Sequence, residues 1–151
     1  MVHMRYQFKF DKILSLKERE KDEVQVIYQD SVKKFEDAAD RLYHLLKKKE
    51  DIETFQLDRL LNGLPVQEIR HHQQFIGNLE KSIAHYQKVV MNARNIMNYQ
   101  QLQLTEKNME VKKYEKIKEK DHLQFLADEK YEESRMMDEI SIQQYMNREI
   151  R

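Results

Sequence analysis

The sequence is poor in the residues that make turns. Its 151 residues include two glycines and one proline, whereas average usage would supply about ten and about eight. Glycine and proline provide many of the turns between the elements of a compact fold. This scarcity excludes a sandwich, a barrel or a doubly wound sheet, all of which need many turns.

Cysteine, tryptophan and long hydrophobic runs are also missing. The absence of cysteine excludes disulfides, thiolate zinc sites and cysteine nucleophiles. Apolar runs such as Val89-Val90-Met91 are far shorter than the roughly 20 residues of a membrane-spanning helix. The N-terminal residues show no apolar core of a signal peptide. We therefore expect a soluble protein of a reducing compartment, with no direct insertion into a membrane.

The chain has no excess of charge of either sign. It carries 27 basic and 27 acidic residues, whereas a nucleic-acid-binding protein normally has a basic excess. The lysine-rich stretch 107–120 is interleaved with glutamates, which is typical of the solvated face of a coiled coil. No nucleic acid is expected as a partner.

What the chain does contain is typical of long helices. Charged residues make up 36% of it, and Lys, Glu, Gln, Leu and Met are all good helix formers. One group of helix-breaking residues, Asn62-Gly63-Leu64-Pro65, predicts a turn, because glycine ends helices and proline tolerates a first helical turn. We predict a single all-α domain over 1–151, with helix 1 at about 6–61 and helix 2 at about 65–149.

Each predicted helix has a seam of apolar residues at coiled-coil spacing. If the chain folds back at the turn, residues whose numbers add to about 128 face each other, which places Phe35 opposite Ala93. The two seams agree in this register, which predicts an antiparallel coiled-coil hairpin with a longer second helix. The seam of helix 1 is Tyr28, Val32, Phe35, Ala39, Leu42 and Leu46, and that of helix 2 is Ile69, His72, Ile76, Leu79, Ile83, Tyr86, Val90, Ala93, Met97, Gln100, Leu104, Lys107, Val111 and Tyr114.

The hairpin is expected to weaken away from the turn. Lys21 falls opposite Lys107 in the predicted register, so we expect a solvated, slightly splayed stretch there. Helix 1 can cover helix 2 only to about residue 122, so residues 123–151 should project as a tail. That tail begins acidic and ends in apolar residues, and Met136, Ile140 and Tyr145 form its candidate partner-binding strip. Methionine suits adaptable binding surfaces as well as cores, and both interpretations stay open for the tail.

No arrangement of residues predicts a catalytic or metal site. His71 and His72 are adjacent and diverge on a helix, and Glu68 with His72 supplies only two ligands of a metal site. Two helices enclose no pocket in which carboxylates could act as general acids and bases. The sequence therefore predicts neither an enzyme nor a cofactor.

Four stretches of the sequence resemble the flagellar export protein FliJ family, particularly its Gram-positive members. They are YQFKFDKILSLKE at 6–18, VQE at 66–68, QQFIGNLEK at 73–81 and MDE at 137–139. The run of Gln-Gln-Phe-Ile followed by Leu-Glu, just after the predicted turn, is the most specific of them. The resemblance spans nearly the whole chain.

The resemblance implies a cytoplasmic component of the flagellar type III protein export apparatus, at the cytoplasmic face of the cell membrane at the flagellar base. Members of the family form an antiparallel coiled coil similar to the central stalk of rotary ATPases. They associate with a hexameric export ATPase and a membrane export gate protein, and they escort export chaperones. A stripe on the second helix binds the gate, and its positions here are Phe75, Leu79, Ser82 and Tyr86.

The expected function is therefore that of a non-enzymatic coupling rod in flagellar protein export. A generic coiled-coil tether or holdase-like chaperone is the alternative that the composition also allows. A phosphohydrolase or metalloenzyme is a third class, which turnover or bound metal would reveal.

Overall fold

Two long helices make up nearly all of the structure. The computed structural model describes residues 5–150, and at residue 150 it describes the backbone alone. Helix α1 is Asp11–Leu61 and helix α2 is Val66–Ile150. The described residues contain no strand. The two helices pack against each other as an antiparallel coiled-coil hairpin, which confirms the predicted fold class.

The turn forms where the sequence predicts it. Gly63 has a φ of 81°, a left-handed conformation that glycine adopts without strain. The carbonyl of Pro65 accepts hydrogen bonds from the backbone N–H groups of Glu68 (3.0 Å) and Ile69 (3.2 Å). Pro65 lies directly before the first residue of α2. No helical hydrogen bond is lost there, because proline has no N–H to donate and that position needs none.

The first helix begins later than predicted. Residues 5–8 are non-helical, residues 9 and 10 form a turn, and α1 starts at Asp11 rather than near residue 6. Phe8 is buried and packs in a cluster with Leu14 and Val111, against which Tyr6 and Phe10 also pack. The helical interpretation of residues 6–10 was wrong because this non-helical segment buries Phe8 in the cluster and packs Tyr6 and Phe10 against it.

The seam of α2 is as predicted, and that of α1 is as predicted at five of its six positions. All fourteen predicted seam positions of α2 are buried or half-buried. In α1, Leu46 is exposed, whereas the other five predicted positions are half-buried. Ser31 and Ala38, which were not predicted, are buried more deeply than the neighbouring Val32 and Ala39. The larger apolar side chains guided the prediction, whereas the structure alternates small residues with Tyr28 and other large ones, as interdigitated packing prefers. The Ser31 hydroxyl donates a 2.6 Å hydrogen bond to the Tyr28 carbonyl, which satisfies this buried group.

The contacts fall into two compact units. The turn unit, Asp22–Glu106, joins its helices through a 3.4 Å ion pair between Lys49 and Glu80 and a ring contact between Phe55 and His72, whose centroids are 5.9 Å apart. The residue numbers of both pairs add to about 128, as the predicted register requires.

The terminal unit comprises Met1–Lys21 and Lys107–Arg151. Its apolar cluster is formed by Phe8, Leu14 and Val111, with Tyr6, Phe10, Tyr114 and Ile117 packed against it. Lys17, Glu20, Lys107 and Glu110 lie half-buried in the same unit. The sequence predicts a solvated, slightly splayed stretch around Lys21 and Lys107. In the structure, ion pairs join Lys17 to Glu110 and Lys107 to Glu20 across the two helices. No helix among residues 5–150 is long and apolar enough to cross a membrane.

Candidate partner-binding surfaces

The four predicted gate-binding residues follow one edge of the α2 seam. They recur at steps of four, three and four residues, which places them on one side of a helix. Phe75 is 42% exposed, whereas Leu79 is 6% exposed and belongs to the hairpin core. Ser82 is exposed and Tyr86 is half-buried. The structure therefore brings the four residues into one stripe, but only Phe75 and Ser82 are exposed to a partner.

Helix α1 contributes basic side chains to the same surface. The Lys48 ammonium lies 5.2 Å from the centroid of the Phe75 ring, and the Arg41 guanidinium lies 5.2 Å from that of Tyr86. Cation–π contacts of this length are attractive, so they help to fix the two rings against α1. Neither Lys48 nor Arg41 was predicted for this surface. The predicted register brings Arg41 close to Tyr86, but it places Lys48 opposite Glu80 rather than Phe75, so it does not reveal the Lys48 contact.

The tail is helical and exposed. Every residue from 130 to 149 is exposed, and Met136 (44%), Ile140 (46%) and Tyr145 (64%) present apolar surface. The Tyr145 hydroxyl donates a 3.0 Å hydrogen bond to Glu149, and Arg135 lies 3.7 Å from Glu139. Both contacts join residues four apart on α2, which stabilises a helix weakly.

Aromatic packing on α2 extends into the first residues of the predicted tail, as far as Phe125. The Tyr6 ring lies 4.6 Å from that of His122 and 5.3 Å from that of Phe125. The Tyr6 hydroxyl donates a 3.1 Å hydrogen bond to the Asp121 carboxylate. Desolvation, with the hydrogen bond to Asp121 second, raises the pKa of the Tyr6 hydroxyl. The N-terminal segment therefore reaches Phe125, close to the predicted limit at about residue 122.

A layer of four charged residues lies in the terminal unit beside the apolar cluster. We call Lys17, Glu20, Lys107 and Glu110 the ionic layer. Lys17 Nζ lies 3.2 Å from Glu110, and Lys107 Nζ lies 3.4 Å from Glu20. The hydrogen bond to Glu110 raises the pKa of the Lys17 ammonium, and the hydrogen bond from Lys107 lowers the pKa of the Glu20 carboxyl. Both shifts favour the charged forms, so the layer links the two helices by ion pairs at neutral pH.

Within the part of the chain that the structure describes, no three His, Asp or Glu side chains come together as a metal site would require. His72 instead packs against Phe55, and His44 pairs with Asp40 at 3.4 Å. The surfaces described above are therefore the candidate functional features of residues 5–150.

Comparison with known proteins identifies the family. The sequence profile of the family described as "Flagellar FliJ protein" matches residues 6–149. The "Flagellar FliJ protein" of Bacillus subtilis (strain 168) is 50% identical over 143 residues, which cover 95% of this chain and 97% of that protein. The chain belongs to the FliJ family.

Membership in the FliJ family confirms the resemblance and assigns the chain to flagellum biogenesis and protein export. The profile match covers residues 6–149. It therefore includes the non-helical segment that contains Phe8, the turn, the predicted gate-binding residues (the gate stripe) and almost all of the tail. No solved structure matches the chain.

Proposed function

We propose that this FliJ-family chain is a non-enzymatic coupling rod of the bacterial flagellar type III protein export apparatus. It would associate with the hexameric export ATPase, the membrane export gate protein and the export chaperones. The observation that carries the proposal is the FliJ-family match over residues 6–149, which spans both helices of the hairpin. Paired helices can transmit a position or a force along their length without an enclosed binding pocket.

We place the gate-binding function on the stripe Phe75, Leu79, Ser82 and Tyr86. Phe75 supplies the exposed aromatic surface, and aromatic residues are common anchors of protein interfaces. Lys48 and Arg41 lie over its two aromatic rings, so a partner at this stripe would meet basic groups beside apolar ones. An acidic and apolar surface on the gate protein fits this chemistry.

We place contact with the ATPase or a chaperone on the tail. Its strip of Met136, Ile140 and Tyr145 is exposed, and a partner helix could cover it by apolar packing. The acidic residues Asp128, Glu132 and Glu133 would speed the approach of a basic partner surface and lose that effect at high salt.

The proposed location is the cytoplasm, peripherally associated with the cytoplasmic face of the cell membrane at the flagellar base. This location follows from the two proposed partners, since the gate is embedded in the membrane and the ATPase is not. Association would depend on the gate protein, so we expect Phe75→Ala to release the chain from the membrane fraction.

Co-purification with the cognate ATPase and with the cytoplasmic part of the gate protein tests the proposal. The full chain should retain both partners, and Phe75→Ala should lose the gate protein. Removal of residues 127–151, the part of the tail that follows the packed Phe125, should lose the ATPase or a chaperone. Retention of neither partner, together with binding to unrelated unfolded proteins, would support a holdase-like chaperone instead.

A further inference from the structure

A neutral stretch on the outer side of α2 stands apart from the rest of the chain. Residues 89–105 contain one charged residue, Arg94, although 36% of the whole sequence is charged. Met91 (66%), Tyr99 (58%) and Leu102 (64%) are exposed within it. Depletion of charge together with exposed methionine and aromatic residues is typical of the core of a protein interface.

Four of the exposed residues in this stretch form a stripe on the side of α2 that faces away from the hairpin seam. Met91, Asn95, Asn98 and Leu102 follow each other at steps of four, three and four residues, and all four are exposed. We call these four residues the neutral face. The seam of α2 runs instead through half-buried Val90, Ala93, Met97, Gln100 and Leu104. The spacing of the neutral face is that of a second coiled-coil seam, and α1 occupies the first one.

We propose that the neutral face binds a second copy of this chain in antiparallel orientation. Its chemistry is self-complementary, because methionine and leucine pack against each other and an asparagine amide both donates and accepts hydrogen bonds. A face that carried charges of one sign would repel its own copy. A partner with a charged surface would bind the neutral face poorly, because its charges would lose their hydration and meet no opposite charge on these four residues.

The orientation follows from the order of the residues along the stripe. Antiparallel pairing places Met91 opposite Leu102 of the other copy and Asn95 opposite Asn98. Lys88, at the next stripe position, then faces Thr105. Parallel pairing in register would place Lys88 opposite its own copy. The antiparallel arrangement therefore pairs apolar with apolar residues, amide with amide, and no two like charges.

The interface is small, so the dimer should form in a concentration-dependent equilibrium. Each copy contributes two large apolar side chains and two amides from the neutral face, with Tyr99 beside them, which is less than a stable interface of about 1,600 Å² requires. The pairing is independent of the gate stripe and the tail, so it can fail without affecting the proposed export function.

Sedimentation equilibrium of the full chain over a hundredfold range of concentration tests this pairing. The mean mass should rise above the 18.6 kDa of one chain toward twice that value. Met91→Glu and Leu102→Glu should each hold the mass at that of one chain, with unchanged helical circular dichroism. Met137→Glu is the matched control, because Met137 is 62% exposed on the tail, and it should leave the rise in mass intact.

Disulfide formation tests the orientation, since the natural chain has no cysteine. A mixture of Asn95→Cys and Asn98→Cys chains should form mixed disulfides faster than either variant forms disulfides alone. A single-chain mass at every concentration would overturn the proposal, as would a dimer that Met91→Glu keeps and Met137→Glu abolishes. Faster disulfide formation within each variant alone would overturn the antiparallel orientation.

Discussion

Alanine substitutions at Phe75 and Leu79 should separate gate binding from the stability of the hairpin. The two residues lie four positions apart on α2, in the same predicted stripe. Leu79 is 6% exposed and Phe75 is 42% exposed. We therefore expect Leu79→Ala to weaken both folding and gate binding, and Phe75→Ala to weaken gate binding almost alone.

The burial of each side chain sets the expected magnitudes. Truncation of a buried leucine costs about 2–5 kcal/mol, because it removes apolar burial and leaves a cavity. For a chain of this size, such a loss lowers the thermal midpoint by roughly 5–20 °C. Phe75→Ala removes an aromatic ring that is less completely buried than Leu79, since it is 42% exposed, so the loss of apolar burial is smaller. It also removes the contact with the Lys48 ammonium, an interaction of about 0.5–1 kcal/mol at an exposed site. The higher helix propensity of alanine offsets part of that loss, by about 0.5 kcal/mol.

Thermal unfolding followed by circular dichroism measures the first quantity, and titration with the cytoplasmic part of the gate protein measures the second. Ser82→Ala is a suitable control for the substitution itself, because Ser82 is exposed on the same stripe and its truncation removes one hydroxyl group. Its thermal midpoint should stay within a few degrees of that of the natural chain.

Two results would refute this reasoning. If Phe75→Ala lowers the thermal midpoint as much as Leu79→Ala does, then Phe75 belongs to the hairpin core. If Phe75→Ala binds the gate protein with unchanged affinity and unchanged stability, then the exposed part of the stripe is not the gate-binding surface.

Three further predictions concern the terminal unit. The pKa of the Glu20 carboxyl is lowered in the folded chain, so its ion pair stabilises the fold at pH values above the unfolded pKa of about 4.3. This stabilisation is lost as the pH falls through the folded pKa, so Glu20→Gln should reduce the fall in thermal midpoint between neutral and acidic pH. A fall of unchanged size in Glu20→Gln would contradict this prediction. Phe8→Ala should destabilise the terminal unit by about 3–5 kcal/mol, as the loss of a buried phenylalanine does. Hydrogen exchange should then show a selective loss of protection for the amides around Val111. Unchanged protection there would argue against the burial of Phe8. Deletion of residues 127–151 should leave the thermal transition of the hairpin intact and reduce binding to the ATPase or a chaperone. A large drop in the thermal midpoint would mean instead that the tail stabilises the hairpin.

The sequence predicts the helices well because few residues can end them. Gly63 and Pro65 locate the turn, and the strict spacing of apolar residues on α2 predicts its seam along fourteen positions. The prediction failed where packing between distant residues overrides local pattern. Residues 6–10 have a helical apolar stripe, yet Phe8 is buried beside Val111, more than a hundred residues away in the chain. Local periodicity cannot reveal this contact.

For the candidate gate-binding surface, the sequence predicts the residues on α2 but not the basic residues that α1 contributes. The spacing of the gate stripe indicates a common helix side, and the predicted seam of helix 2 contains Leu79 but not Phe75. The burial of Leu79 and the exposure of Phe75 confirm that distinction. On α1, the sequence favoured Leu46 over Leu45 for the seam, a one-residue difference that depends on how the helix rotates against its neighbour. That rotation decides which basic residues lie near the stripe, and so Lys48 and Arg41 could not be assigned from pattern alone.

ATP hydrolysis by the cognate export ATPase, measured with and without this chain, tests the coupling function most directly. We predict that the full chain changes the hydrolysis rate at stoichiometric concentration, and that the chain lacking residues 127–151 changes it much less, although its hairpin remains folded. The Phe75→Ala chain should act on the ATPase like the full chain, since the gate stripe is a separate surface. A hydrolysis rate that is the same with and without the full chain, under conditions in which the two proteins form a complex, would contradict the coupling function.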